Sequence, residues 1–455
     1  MRKSSISSVA IFIIVLFTII HSVNLNRWNT DRIIENDAVV YYAYLPATFI
    51  FQDLTFDFKK STKDPIVKKK TWLSPVPNGN SVLKMTMGNA ICWTPFFLTA
   101  HAYASLSDEY DNNGYSIPYS FLIAVAAWFY LFISLLFLRK LLRLYFSDYA
   151  TAVTLIAITL GTNLFYYAAV GPGMSHTYSF AMITLFLYLF IVWMDKLNYA
   201  RSVLLGLLLG LIILIRASNG LIIIFPVLLL LFSNGSMHEK VDYLRKNYTY
   251  ILIAGLFTFL AVFPQLYYWK VITGHWLYNS YSPETFYFSN PHILKGLFGF
   301  RKGWFIYTPM MFISVFGLYY LRKTSQNLLL PIIIFLIINV YVVYSWWCWW
   351  YGGSFSSRPM IDIYAIMSIP FAAFIDHIIQ QVNWKKILSF LVILFFIYLN
   401  QHQVNQYQTG ILHWDSMTRE AYFEILFKKN YPENYKDLIK KPDYKNAKKG
   451  MCEYK

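Results

Sequence analysis

The sequence is poor in charge. Only 14% of its 455 residues are Asp, Glu, Lys or Arg, against 57% hydrophobic and 20% aromatic residues, with a mean hydropathy of +0.42. Soluble domains carry roughly 25% charged residues, so this balance excludes an ordinary soluble protein. Cysteine is scarce as well: Cys92, Cys348 and Cys452 lie far apart with no CxxC spacing, which indicates neither a disulfide framework nor a zinc site. Segments of alternating polarity, which a transmembrane barrel needs, are missing. Acidic residues are outnumbered 23 to 39 by Lys and Arg, giving a net charge of +16. The basic residues fall mostly in short connections between apolar runs, where they set membrane orientation, so nucleic acid is not the expected partner. The first apolar run lacks a small-residue cleavage site before NLNRWNTDR and reads as a retained helix.

What the sequence has is apolar runs such as VAIFIIVLFTII, MITLFLYLFIVWM and LLLPIIIFLIINVYVV. Runs of roughly 17 to 25 residues cross a ~30 Å hydrocarbon core as helices, so an all-α polytopic membrane protein is expected. Arg2 and Lys3 precede the first span, about 7–23, which places the N-terminus in the cytoplasm and the next stretch outside. The run at 89–106 decides the rest. If it crosses, the basic clusters at 139–143, 195–201, 239–246, 321–323 and 383–386 are external; if it lies along the outer face, all five are cytoplasmic, as the positive-inside rule requires. The non-crossing reading puts spans near 118–138, 150–168, 174–194, 200–216, 219–232, 249–271, 304–321, 327–345, 359–376 and 386–401. That makes about eleven crossings. Residues 1–400 then form the membrane domain, 26–117 a first external loop with juxtamembrane helices, and 401–455 a short external tail that caps the outer face. The 200–216 and 219–232 pair is short for two full spans, and is expected to be tilted or to form a broken hairpin. The Lys-rich run at 59–70 counts against this topology, although it lies in a long loop where the rule carries little weight.

With this topology the polar, aromatic segments converge on one face: the 30–88 loop, GPGMSHTY (171–178), Arg216 with Ser218 and Asn219, the 273–303 loop and WWCWWYGGSFSSRP (346–359). In IIENDAVVYYAYLPATFIFQDL, Tyr41, Tyr44, Val40, Ala47 and Phe51 pattern as a short amphipathic helix on the outer face, with Asp37 at its start. Asp37 has two readings. It is a helix cap, or a general base placed to take the proton from an acceptor hydroxyl during glycosyl transfer. Glu35, Asp53 and Asp57 are weaker alternatives for that base.

The order and shared side of NDAVVYYAYLP, GTNLFYYAAVGPGMSHTYSF, RASNG, FGFRKGWFIYTP and WWCWWYGGSFSSRPMID resemble the GT-C superfamily of glycosyltransferases. The likeness is to protein O-mannosyltransferases, lipid A aminoarabinose transferases and bacterial dolichyl-phosphate-mannose-type transferases, and it covers the chain to about residue 400. The O-mannosyltransferases carry an Asp-Glu pair where this chain has Glu35, Asn36 and Asp37, which leaves open whether one carboxylate or two take part.

The resemblance implies a GT-C-like bundle in a bacterial inner membrane that transfers a sugar, with inversion, from a polyprenyl-phosphate donor in the bilayer to a glycan, lipid or protein acceptor outside the cytoplasm. The donor phosphate then needs cations. Arg216 ends an uncharged span and either snorkels or binds phosphate. Arg358 either pairs with Asp362 four positions on or clamps phosphate. His176, Arg301 and Lys302 are further phosphate candidates, each with a structural or headgroup-anchoring alternative. Tyr41, Tyr44, Trp349, Trp350 and Tyr351 are candidates for a sugar or acceptor cleft, with an aromatic belt as the alternative for the WWCWWY cluster. No cofactor is expected; the carboxylates leave a divalent metal open, but no ligand cluster has convincing spacing for one. A transporter or flippase for lipid-linked glycan precursors is the competing reading; it requires a polar path that the cytoplasmic halves of these spans lack. A non-catalytic scaffold that keeps the fold is a third.

Overall fold

In hydrocarbon every backbone N–H and C=O must find its partner within the protein, and this chain meets that demand with helices. The computed structural model describes residues 5–453. Seven helices in it are long and apolar enough to cross a membrane: Ile6–Leu25, Ile117–Leu142, His176–Asp195, Tyr248–Thr273, Gln326–Tyr344, Arg358–Ile378 and Asn383–Thr409. Asp148–Leu160, Tyr199–Ile215 and Ala217–Leu231 are apolar but shorter. The expected span at 304–321 is interrupted: Trp304–Tyr307 is one turn, and a 15-residue helix, Met310–Thr324, begins after Thr308 and Pro309. Crossing length is thus reached by seven of the expected segments, and the count of eleven is not fixed by helix length. The decisive 89–106 run is the helix Gly88–Ser105, which carries Pro95 inside it and is not among the seven.

Local sequence explains the helix boundaries. Ser147 and Asn198 cap their helices by accepting hydrogen bonds from Ala150 N–H and from Ala200 and Arg201 N–H, respectively. Gly274 and Gly410 close two long helices at φ +81° and +85°, where a side chain would be strained. Small residues set the packing. At Gly206 a Cβ would stand 2.2 Å from the Ala254 carbonyl oxygen, so Tyr199–Ile215 and Tyr248–Thr273 approach backbone to backbone. Leu252, Leu256 and Phe259 on the second helix remain exposed, an apolar face suited to lipid rather than water.

The chain beyond residue 400 is folded. Asn383–Thr409 runs on past it, and Ile411, Leu412, Met417, Ala421 and Ile425 pack with Phe165, Val170 and Tyr307 in a second apolar core. Too short for a core of its own, the tail is held by the short helices Leu164–Ala169 and Trp304–Tyr307 and their flanks.

Candidate active site

The helix Asp37–Tyr42 follows Asn36, whose φ of 52° and ψ of −130° lie outside the conformations an L-residue prefers. Such a backbone costs about 1–3 kcal/mol and persists only where its surroundings impose it. Those surroundings are close. At Gly173 a Cβ would stand 2.4 Å from the Ile33 carbonyl oxygen, so only glycine lets the 171–175 turn close over the start of this helix. Ala38 to Tyr42 are buried, and Tyr42 donates to the Gly114 carbonyl at 2.5 Å. The expected surface helix is therefore a buried one. Its N-cap, Asn36, makes no side-chain cap bond, and the Asp37 carboxylate turns instead to Arg358.

Arg358 Nη2 donates to Asp37 Oδ2 at 2.8 Å, joining positions 321 residues apart. The alternative pairing of Arg358 with Asp362 does not form. Arg358–Ile363 is a 3-10 helix, in which residues four apart lie about 120° from one another rather than on one face. Asp362 faces Arg216, with Nη1 3.5 Å from Oδ2. Arg216 sits at an extended break, φ −154° and ψ 121°, between Tyr199–Ile215 and the next helical segment, and this break supplies the expected interruption of the short pair. Its Nη1 also donates to His176 Nδ1 at 3.2 Å. A guanidinium has no acceptor, so this bond fixes Nδ1 as the acceptor and leaves the imidazole proton on Nε2. Asp362 Oδ1, 3.7 Å from the same Nδ1, is buried without a hydrogen-bond partner among the described residues.

Asp37, Tyr41, His176, Arg216, Tyr351 and Arg358 thus line one cavity, with a volume of about 1030 Å³. That is at the upper end of the range for small-molecule sites. Burial holds the Tyr41 phenol above its ordinary pKa despite the pull of Arg216, so it stays a donor. Burial also pushes the Cys348 thiol on the cavity wall up to about 12, which leaves it unreactive.

Other expected site residues fall outside this cavity. Tyr44 is buried against Tyr268 and donates to the Met85 carbonyl. Arg301 and Lys302 are 2% and 1% exposed, and they face the tail. Arg301 donates to the carbonyls of Asp415 and Lys440, and Lys302 Nζ lies 3.5 Å from the His413 carbonyl oxygen. Lys302 also stands 4.8 Å over the ring of Tyr407, which does line the cavity. Trp349 and Trp350 are 3% and 1% exposed, with Arg301 5.6 Å over the Trp350 ring, so they form neither an exposed belt nor the cavity wall. Of the WWCWWY cluster it is Trp346, Trp347, Cys348 and Tyr351 that reach the cavity. Sequence reasoning missed Lys84, Tyr281, Glu284 and Tyr444, which also line it; polar residues in long loops carry no periodic signal.

Among the described residues no group of three or more His, Cys, Asp or Glu side chains is placed to hold a metal ion. Asp37 and Asp362 each face a guanidinium.

No protein-family model matches the chain, and no curated protein matches it by sequence. Solved structures do match. One is the oligosaccharyltransferase of Archaeoglobus fulgidus in complex with Zn and sulfate, with a TM-score of 0.52 and 14% identity over 92% of this chain and 55% of that one. Another is the oligosaccharyltransferase AglB from the same archaeon in complex with an inhibitory peptide and a dolichol-phosphate, with a TM-score of 0.50 and 12% identity over 94% of this chain and 58% of that one. The chain therefore spans little more than half the length of these proteins, and at such identity the likeness carries the fold. The chain is an all-α polytopic membrane protein with an oligosaccharyltransferase-like fold.

Proposed function

We propose that the chain is a membrane glycosyltransferase. It moves a sugar from a polyprenyl-phosphate donor of the mannosyl-phosphate type to an acceptor on the non-cytoplasmic face, with Asp37 as general base. The observation that carries this reading is the meeting of Asp37 with Arg358, and of Arg216 with His176 and Asp362, on the wall of one large cavity. It is supported by the fold shared with two solved oligosaccharyltransferase structures, one of them in complex with a dolichol-phosphate.

The acceptor oxygen attacks the anomeric carbon as the bond to the donor phosphate breaks, and its proton passes to the Asp37 carboxylate. A single displacement of this kind inverts the anomeric centre. Negative charge grows on the departing phosphate, where Arg216 and Arg358 stabilise it; preorganised donors of this sort typically contribute about 10²–10³ in rate each. Arg358 must exchange Asp37 for phosphate as the donor binds. Asp37, 36% exposed against 16% for Arg358, is the partner that water can solvate when the pair opens. His176 orients Arg216.

Sealed vesicles loaded with the purified protein and a polyprenyl-phosphate hexose separate the two leading classes. Glycosyl transfer predicts release or transfer of the hexose and free polyprenyl phosphate. Translocation of intact donor with no sugar released would assign the chain to the flippase class instead.

A further inference from the structure

The cavity has a second polar centre that the transfer chemistry does not use. Glu284 sits on the 274–292 loop with its side chain 15% exposed, and Lys84 Nζ lies 2.8 Å from its Oε1. Lys448, from the tail, approaches the same oxygen at 3.9 Å. Both ammonium groups converge on Oε1, so Oε2 has no hydrogen bond among the described residues and is left open to a ligand. Aromatic faces surround the carboxylate. Lys84 Nζ lies 5.1 Å over the Tyr281 ring and Lys448 Nζ 5.2 Å over Trp347. Trp347 is 6% exposed and lines the cavity, and its indole N–H is buried without a partner among the described residues.

The geometry is fixed from three directions. Trp347 N–H donates to the Thr285 carbonyl and Tyr287 N–H to the Ser345 carbonyl, which straps the Glu284 loop to the tryptophan segment. Ser280 donates to the Lys84 carbonyl at 2.7 Å, and Tyr287 donates to the Lys448 carbonyl at 2.6 Å. Three segments distant in sequence are therefore locked around one carboxylate oxygen that no protein group uses.

We propose that Glu284, Lys84 and the ring of Trp347 form a pyranose-binding subsite of this cavity, with Lys448 beside Glu284. Sugar rings offer apolar C–H faces to aromatic rings and hydroxyls to charged donors and acceptors. This site has a carboxylate to accept from one hydroxyl and ammonium groups to donate to others. A wholly anionic group fits less well, because Glu284 repels it and already neutralises part of the lysine charge. As a sugar subsite of a transferase this assignment rests on the glycosyl-transfer reading, but pyranose binding itself does not. The pyranose is either the hexose of the lipid donor or a residue of a glycan acceptor.

Saturation-transfer NMR on the full chain in lipid nanodiscs tests it, using the methyl α-pyranosides of mannose, glucose and galactose as probes. Wild type is expected to transfer saturation to the ring protons of at least one probe. Glu284→Gln is expected to weaken that binding about tenfold, the size of one lost charge-assisted hydrogen bond. Lys448→Met weakens it several-fold, and because that side chain is 43% exposed the variant keeps its fold if Glu284→Gln does not. Displacement of the probe by a polyprenyl-phosphate hexose identifies the donor sugar as the occupant, and persistence identifies the acceptor. No transfer from any pyranoside, or equal binding by wild type and both folded variants, would overturn the proposal. Turnover is not read, so a chain that binds pyranosides but breaks no sugar-phosphate bond sinks the transferase reading and leaves the subsite standing.

Discussion

Arg358 and Lys302 are both cations with little exposure, yet they answer to different partners. Arg358 faces Asp37 across the cavity, so Arg358→Met is expected to lower turnover of a lipid-phosphate donor by about 10²–10³ while the helical circular dichroism is kept. Lys302 is held by the tail, and burial lowers its pKa from 10.5 to about 7 against the pull of Asp415. Its folded-state pKa lies below the unfolded value, so between about 7 and 10 the unfolded chain binds the extra proton and stability rises with pH. Below about 7 both states are protonated and the burial penalty is felt in full. The Tm of the full chain is thus expected to climb from pH 6.5 to 9, and Lys302→Met to flatten that slope. An unchanged slope in the variant would show that other groups carry it. Both residues were legible in the sequence as candidates for a phosphate; their burial and their partners were not. For Arg358 a carboxylate four positions away looked near enough, but the 3-10 geometry turned Asp362 toward Arg216. For Lys302 the partners came from the tail more than 100 residues on.

Elements position these residues through close contacts that one methyl group would break. Gly206 and Gly210 let Tyr199–Ile215 lie against Tyr248–Thr273, and Arg216 ends the first of these helices. Gly206→Leu is expected to separate the pair and withdraw Arg216 from the cavity, lowering Tm and turnover together. Exposed Gly255, with nothing within 4 Å of its would-be Cβ, is the matched control, and Gly255→Ala should change neither. The apolar runs were legible as helices because their length and composition leave no alternative in hydrocarbon. Their interruptions were less so. The break at Arg216 was foreseeable from the shortness of the flanking runs, whereas the one at Thr308 and Pro309 was hidden in a run of ordinary hydropathy. The WWCWWY cluster also divides: Trp346 and Trp347 reach the cavity while Trp349 and Trp350 turn into the protein, a choice made by tertiary contacts with Phe286 and Tyr444.

On the scale of the whole chain, the segments that the positive-inside rule gathers on one face are those that meet around the cavity. The run at 89–106 carried that argument, and as the helix Gly88–Ser105 it lies close to the Asp37 helix, with Gly88 packed against the end of the helix that precedes Arg216. A reporter fused after residue 145 is expected to be cytoplasmic, and one fused within the tail external; an external reporter at 145 would contradict the topology. The central claim is chemical, and one measurement tests it most directly: consumption of a polyprenyl-phosphate hexose by purified wild type and by Asp37→Asn, which has the same shape but cannot take a proton. The account predicts turnover in wild type and a loss of about 10²–10⁴ in the variant, the range for removal of a positioned general base. Equal rates in the two proteins would remove Asp37 from the chemistry and contradict the account.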